Sequence, residues 1–329
     1  MRIVAFVPGG IDDQILFFPT LDDLKRYYPN AQIDVVVEPT SKGAYRVSKS
    51  VHEVLTFDFN DRNSLADWGN LVGTIRDREY DVVITKQQNS SVGFLLWLTG
   101  IPIRIGYKDK GIAFLTNSVP AKTQQYAANM YHDLLAGLGV NSPCPELAIN
   151  VPKPDIDWAD KEQKRLGVQE TGYILIDGGF AQSGKVKGLD TIYPLANWLE
   201  IIQEIQRKQP EMPVVVVKDK DNEDFIRSVS NALNIKVTSP TDIGKLAATI
   251  AGANLLLCTD SAAMHLAVAV QTYTIALFGS TEPTFLVPDS NALGNLQYRT
   301  SDRLLTIKSP TGKIADISAK TVLAHIWAG

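Results

Sequence analysis

Short β-branched runs alternate along the whole chain with stretches whose apolar residues recur at helical spacing, and this alternation limits the fold more than any other feature. Residues 2–7 read as a buried strand. Residues 13–28 read as a helix carrying Ile15, Leu16, Leu21 and Leu24, with Pro19 tolerated only near its first turn or as a kink. A strand at 33–37, a basic helical stretch and a strand at 54–57 follow. Then come a helix at 64–79, strands at 81–85 and 103–105, and a helix at 129–138 ended by Gly139. The second half repeats the pattern, with strands at 173–176, 213–217, 235–238, 255–258 and 274–277. Its helices are read at 194–208, 222–233, 242–251, 261–270 and 318–327. Such alternation implies parallel sheets with helices on both faces, an α/β fold of doubly wound sheets. Sheets of this kind bind ligands at the carboxyl ends of their strands.

The chain has 329 residues, which suits two domains better than one core. Pro143, Pro145, Pro152 and Pro154 mark the boundary, giving domains 1–152 and 153–329 with a cleft expected between them. No apolar run reaches the roughly 18–20 residues of a membrane span. The apolar start at residues 3–7 is cut short by Pro8, Gly9 and Gly10, so no secretory signal is read. Two cysteines, Cys144 and Cys258, make neither a disulfide framework nor a four-ligand zinc site, and His52, His132, His265 and His325 are scattered. A cytoplasmic protein without a metal is expected. The net charge of −4 argues against a broad nucleic-acid footprint.

Six segments carry candidate chemistry. Gly9 and Gly10 follow the first strand and lead through Asp12, Asp13 and Gln14 into a helix start, a place that attracts anions. One carboxylate suffices as a helix cap, so the second asks for another role. The loop from Gly179 through Gly184 and Lys185 is one residue short of a phosphate-binding P-loop, because Val186 stands where a Ser or Thr belongs. Lys185 or Lys187 as a looser phosphate contact and an ordinary exposed loop are both open. Thr259, Asp260, Ser261, Ala262, Ala263, Met264 and His265 lie at the end of an apolar strand and open a helix fit for a phosphate. Plain capping by Asp260 or Ser261 is the competing reading. The next strand ends in Gly279, Ser280, Thr281 and Glu282 on the same sheet edge. Within the charge run 218–224, Glu223 could reach a ribose hydroxyl. Lys42, Arg46 and Lys49 share roughly one helical face, either solvated or turned to an anionic acceptor near a membrane.

At this point the sequence resembles glycosyltransferase family 9, the heptosyltransferase-like enzymes of the two-domain GT-B fold. The opening segment from Arg2 through Asp13, Phe18, Pro19, Leu21, Leu24, Lys25, Tyr28 and Pro29 to Val37 matches the family's strand, acidic loop, helix and second strand. Tyr193, Pro194 and Trp198 resemble its Trp-Pro-x-x-x-Trp helix start. Most diagnostic is the stretch between 248 and 283, with Ala-Gly-Ala, a strand, Thr-Asp-Ser-x-x-x-His-Leu-Ala and Leu-Phe-Gly-x-Thr-Glu-Pro.

The resemblance implies an inverting, metal-independent glycosyltransferase with no cofactor beyond its nucleoside-diphosphate sugar. It moves a heptose or related sugar to a lipid-linked or cell-surface glycan, with a peripheral contact to the inner face of a membrane. Asp13 is then the general base. Gly9, Gly10, Asp12, Gln14, Lys42 and Arg46 lie on the acceptor side of the first domain. Lys185, Lys187, Glu223, Asp260, Ser261, Ala262, Ala263, His265, Ser280, Thr281 and Glu282 belong to the donor site of the second. The chain departs from the family pattern at Asp12, Gln125, Thr191 and Ala262. Gln125 and Ala262 motivate one alternative, a catalytically degenerate sugar-nucleotide-binding protein; the other is a nucleotide-sugar epimerase or hydrolase of the same fold.

Overall fold

The computed structural model describes residues 1–59, 63–87, 90–108, 112–178, 192–288, 299–301 and 303–327. The chain divides into two compact units, Met1–Asn150 and Val151–Gly329.

The first unit is built on strands β1 (Arg2–Val7), β2 (Gln32–Val37), β3 (Glu53–Thr56), β4 (Val82–Thr85), β5 (Ile103–Tyr107) and β6 (Asn117–Val119). Their order is β3-β2-β1-β4-β5-β6, and every pairing is parallel. From Ile3 to Val7 the central strand is wholly buried, as expected of a parallel strand covered on both faces. Helices α1 (Ile11–Tyr27), α2 (Leu65–Arg76), α3 (Ser90–Leu98) and α4 (Ala127–His132) accompany the sheet. Val4, Phe6, Val36 and Val83 pack with Leu71 and Ile75 of α2 and Leu95 and Leu96 of α3. Each such large apolar side chain contributes about 1.5–3 kcal/mol on burial. The helix α1 runs through Pro19, which is buried within it.

Two expectations change here. The helix read at 129–138 is α4 followed by a 3-10 turn, Asp133–Leu138, closed by Gly139 at φ +78°. The basic stretch after β2 is a 3-10 helix, Pro39–Val47, with Lys42 and Arg46 exposed and Ser41, Ala44, Tyr45 and Val47 buried.

The second unit opens with α5 (Lys153–Leu166), a helix absent from the sequence reading of the proline-marked boundary. Pro154 lies in the helix's first turn, where its missing N–H has no partner to lose. The sheet comprises β7 (Ile174–Asp177), β8 (Val214–Val217), β9 (Lys236–Thr238), β10 (Leu255–Thr259), β11 (Thr274–Phe278), β12 (Arg299–Ser301) and β13 (Leu304–Lys308). Its order is β12-β13-β11-β10-β7-β8-β9, parallel except for the edge strand β12. The helices are α6 (Leu195–Lys208), α7 (Glu223–Ala232), α8 (Ile243–Ala251), α9 (Ala262–Val270) and α10 (Ala319–Ile326). Trp198 of α6 is fully buried against Tyr193, edge to face at 5.1 Å, and Tyr193 donates to the Ile317 carbonyl at 2.8 Å. The Tyr-Pro-x-x-x-Trp segment therefore anchors the core of this unit.

Each sheet has one point where the strand order reverses, between β1 and β4 in the first unit and between β7 and β10 in the second. Loops leaving the carboxyl ends of those strand pairs diverge and open a crevice, where ligands of doubly wound sheets bind.

Candidate functional site

At the first reversal point, β1 ends at Val7 and the chain turns through Gly9 and Gly10 into α1. Gly9 has φ +123°, a conformation that side chains resist. Asp13, in the first turn of α1, accepts the Gly10 N–H on Oδ2 at 3.0 Å. Asp13 thus stands at the third helical position and closes back on the N-cap residue, Gly10. Its other oxygen, Oδ1, turns across the reversal point and accepts from Lys86 Nζ at 2.5 Å and from the Tyr131 hydroxyl at 2.9 Å. Lys86 follows directly after β4, and Tyr131 comes from α4. The Lys86 ammonium also lies 4.9 Å from the centre of the Tyr131 ring. Burial first, and the Asp13 carboxylate second, push the Tyr131 hydroxyl well above its ordinary range, so it stays a donor.

Residues further from the chemistry hold this arrangement. Gln14 is wholly buried, and its amide donates to the carbonyls of Val7 at 2.8 Å and of Gly9 and Gly10 at 3.3 Å. Its oxygen accepts the Tyr45 hydroxyl at 2.8 Å, and Ser41 donates to the Gly9 carbonyl at 2.8 Å. Gln14 therefore braces the loop from beneath and is not the acceptor-side contact that was expected. Asp23, buried near the other end of α1, meets His132 Nε2 at 2.8 Å and the Ser142 hydroxyl at 2.5 Å and pairs with Arg26. Since His132 adjoins Tyr131, this contact ties α4 to α1 and keeps Tyr131 at Asp13. Gln125 donates to Asp133 at 2.8 Å. A cavity of about 410 Å³, lined among others by Asp22, Lys25, Arg26 and Lys49, lies toward the C-terminal end of α1.

At the second reversal point, β7 ends at the buried Asp177 and β10 at the buried Thr259. Asp260 donates its N–H to the Leu277 carbonyl at 3.1 Å, fixing the turn. Ser261 occupies the N-cap position of α9 with extended backbone, yet its side chain makes no cap bond. The buried hydroxyls of Ser261 and Thr259 have no hydrogen-bond partner among the described residues. A helix leaves its first N–H groups without intrahelical partners, and they favour an anion. Simple capping therefore does not account for Ser261. Ala262 opens α9, and Ala263 and His265 are buried in it.

The rest of the expected donor site is distributed along the same edge. Ser280 is exposed and Thr281 half-buried beside it, and Glu282 forms an ion pair with Lys308 at the end of β13. Glu223 pairs with Lys218, after β8, at 3.0 Å, and that lysine holds its carboxyl below the usual range. Asn222, which the sequence did not single out, is buried and donates to the Val217 carbonyl at 2.9 Å, shaping the loop that carries Glu223. Lys185 and Lys187, with the loop from Gly179 onward, lie outside the described residues.

Among the described residues, Asp34, His52 and Glu53 are spaced as metal ligands. Their oxygens and nitrogen already serve one another and the chain. Tyr80 donates to Asp34 at 2.5 Å, His52 Nδ1 lies 3.0 Å from it, and Arg78 forks onto Glu53. With Arg2 and Arg78 both 3.8 Å from Asp34, two cations occupy the ground a metal would need. No helix among the described residues is long and apolar enough to cross a membrane.

Two parallel doubly wound units, each with polar groups gathered at its reversal point, define the GT-B class of folds. The model of glycosyltransferase family 9 (heptosyltransferase) matches residues 68–306, and the chain belongs to that family. It is 26% identical to photosynthetic NDH subunit of subcomplex B 1 of Arabidopsis thaliana, a chloroplast protein, over 98% of this chain and 72% of that one. It is 24% identical to lipopolysaccharide heptosyltransferase 3 of Escherichia coli, over 88% and 86% of the two chains. The solved structure of the ADP-heptose lipopolysaccharide heptosyltransferase II of Escherichia coli superposes with a TM-score of 0.77 at 17% identity, covering 100% of this chain and 98% of that one.

Proposed function

We propose that this glycosyltransferase moves a sugar from a nucleoside-diphosphate donor to a glycolipid or glycan acceptor, with inversion and without a metal. The observation that carries the reading is Asp13, a carboxylate fixed at the strand reversal of the first unit by Lys86, Tyr131 and the Gly10 N–H. As the acceptor hydroxyl attacks the anomeric carbon, its proton passes to Asp13, the new glycosidic bond forms, and the bond to the diphosphate oxygen breaks. The departing nucleoside diphosphate carries away the electron pair of that bond. Its charge is met by the N-terminal N–H groups of α9 and the Ser261 hydroxyl, aided by Lys185 and Lys187. Glu223, Asp260, His265, Ser280, Thr281 and Glu282 complete the donor site in this reading, and Gly9, Gly10, Asp12, Lys42 and Arg46 the acceptor side. The similarity to heptosyltransferases makes ADP-heptose the first donor to try and a lipopolysaccharide core the first acceptor. A membrane-borne acceptor calls for work at a membrane surface.

Thermal denaturation with ADP, UDP, GDP and CDP, each with Mg²⁺ or with EDTA, tests the donor half. A diphosphate at about 100 times its dissociation constant adds roughly 2.7 kcal/mol, which moves a midpoint by several degrees. The expected result is a shift with one diphosphate, ADP first, that EDTA leaves intact. A shift that vanishes with EDTA contradicts metal independence. No shift with any of them contradicts the donor half of the reading.

A further inference from the structure

Among the described residues, Lys86 is the cation paired with the proposed base, and it is not among the candidate residues read from the sequence. Its ammonium lies 2.5 Å from Asp13 Oδ1, its side chain is only 10% exposed, and Asp13 is 28% exposed. An ammonium so nearly withdrawn from water is stable there only beside an anion. Asp13 in turn faces Lys86 from the end of β4, the Tyr131 hydroxyl from α4 and the Gly10 N–H of its own loop. Two further groups act on Tyr131, Asp12 from the first turn of α1 and Tyr107 from β5. Lys86 and Tyr131 also touch one another, with Nζ 3.4 Å from the hydroxyl.

We propose that Lys86 is a positioning residue for the base, keeping the Asp13 carboxylate ionised and, with Tyr131, fixing its orientation at the strand reversal. A general base must hold no proton when the acceptor arrives, and it must stand within hydrogen-bonding reach of the hydroxyl. The cation secures the first condition because it favours the charged carboxylate. The pair of donors secures the second, since a carboxylate held on Oδ1 from two elements and on Oδ2 from a third cannot rotate. Lys86 acts through Asp13 and needs no contact with substrate. The role rests on the reading of Asp13 as base, but the titration that tests it uses no substrate and stands apart from that reading.

The test is a carbon-13 titration of aspartate carboxyls in the whole protein, with the Asp13 signal assigned by its loss in Asp13→Asn. In Lys86→Met the Asp13 signal is expected to titrate about one pH unit or more higher than in wild type. Lys86→Arg, which restores the charge, is expected to bring it back toward the wild-type midpoint. If Met at 86 prevents folding, Lys86→Gln reads the same shift, since it keeps donors but not the charge. A midpoint unchanged in the neutral variant overturns the proposal. In turnover, Lys86→Met should lower kcat more than it raises KM, and should move the acid limb of the kcat profile upward with the carboxyl titration. Loss of activity with an unmoved acid limb marks a merely structural role and also overturns it. Should Asp13→Asn itself turn over normally, the base assignment fails while the titration result stands.

Discussion

A methyl group on Gly9 would lie 2.1 Å from Asp13 Oδ2, and Gly9 holds φ +123°. The first glycine of the turn and the proposed base thus share one space. Gly9→Ala must displace the carboxylate or the loop, and it also places a side chain in a strained conformation costing about 1–3 kcal/mol. Misplacing a catalytic group by about 1 Å costs on the order of 10²-fold in rate. Turnover of Gly9→Ala is therefore expected to fall by roughly that factor, with a measurable loss in a urea midpoint. Gly43→Ala is the control, because nothing lies within 4 Å of its added carbon, and it should match wild type in both.

The brace beneath the loop predicts a stability effect without a substrate. Tyr45→Phe removes the hydroxyl that Gln14 Oε1 accepts at 2.8 Å and leaves a buried acceptor unsatisfied. The cost of such a group is about 1–3 kcal/mol. Urea unfolding should show that loss with an unchanged slope. A variant as stable as wild type would mean that the Gln14 amide is satisfied some other way.

Asp23 predicts a pH dependence. Burial acts to raise its carboxyl, but Ser142, His132 and Arg26 together hold it below the ordinary range. A carboxylate whose folded value is depressed contributes stability that is present above its unfolded value, about 3.9, and lost as pH falls through the folded one. Wild type should accordingly exceed Asp23→Asn in melting temperature at pH 7, and the gap should narrow as pH falls from about 5 toward 3. A gap that widens in acid would contradict the assignment.

The start of α9 separates stability from binding. Ser261→Ala removes a hydroxyl with no described partner, so the melting temperature should hold within what about 0.5 kcal/mol allows. Diphosphate affinity should weaken by roughly tenfold or more, the value of a hydrogen bond to a charged group being about 1.5–3 kcal/mol. Ala262→Asp is the sharper variant. A carboxylate in the first turn favours the free helix by about 0.3–1 kcal/mol, yet it stands where a phosphate should sit. Calorimetry should find a protein at least as stable and diphosphate binding gone. Wild-type affinity in Ala262→Asp would remove α9 from the donor site.

Much of this architecture was legible in the sequence because parallel strands are buried on both faces and therefore announce themselves as apolar runs. The β1 to α1 turn and the start of α9 stood out for the same reason, since polar and small residues follow such runs abruptly. Lys86 and Tyr131 were not legible. They are 73 and 118 residues from Asp13 in sequence, and only the order β1-β4 and the crossing of α4 on α1 bring them to it. Lys86 did carry a faint signal, a lysine directly after an apolar strand, but its meaning depends on which strand is its neighbour. Gln14 misled for the opposite reason. A polar side chain next to a candidate base suggests the surface, whereas the backbone carbonyls of the tight turn drew it inward. At α5, Pro152 and Pro154 read as a break because a helix start and a linker both favour proline.

The central claim, that Asp13 takes the proton in glycosyl transfer, is tested most directly by comparing wild type with Asp13→Asn. Both would be given ADP-heptose and a lipopolysaccharide-core acceptor, following ADP release and the configuration of the new bond, with ADP affinity and melting temperature measured alongside. Wild type should release ADP with transfer and inversion, and Asp13→Asn should be slower by roughly 10²- to 10⁴-fold with ADP affinity unchanged. Undiminished transfer by a folded Asp13→Asn would contradict the account.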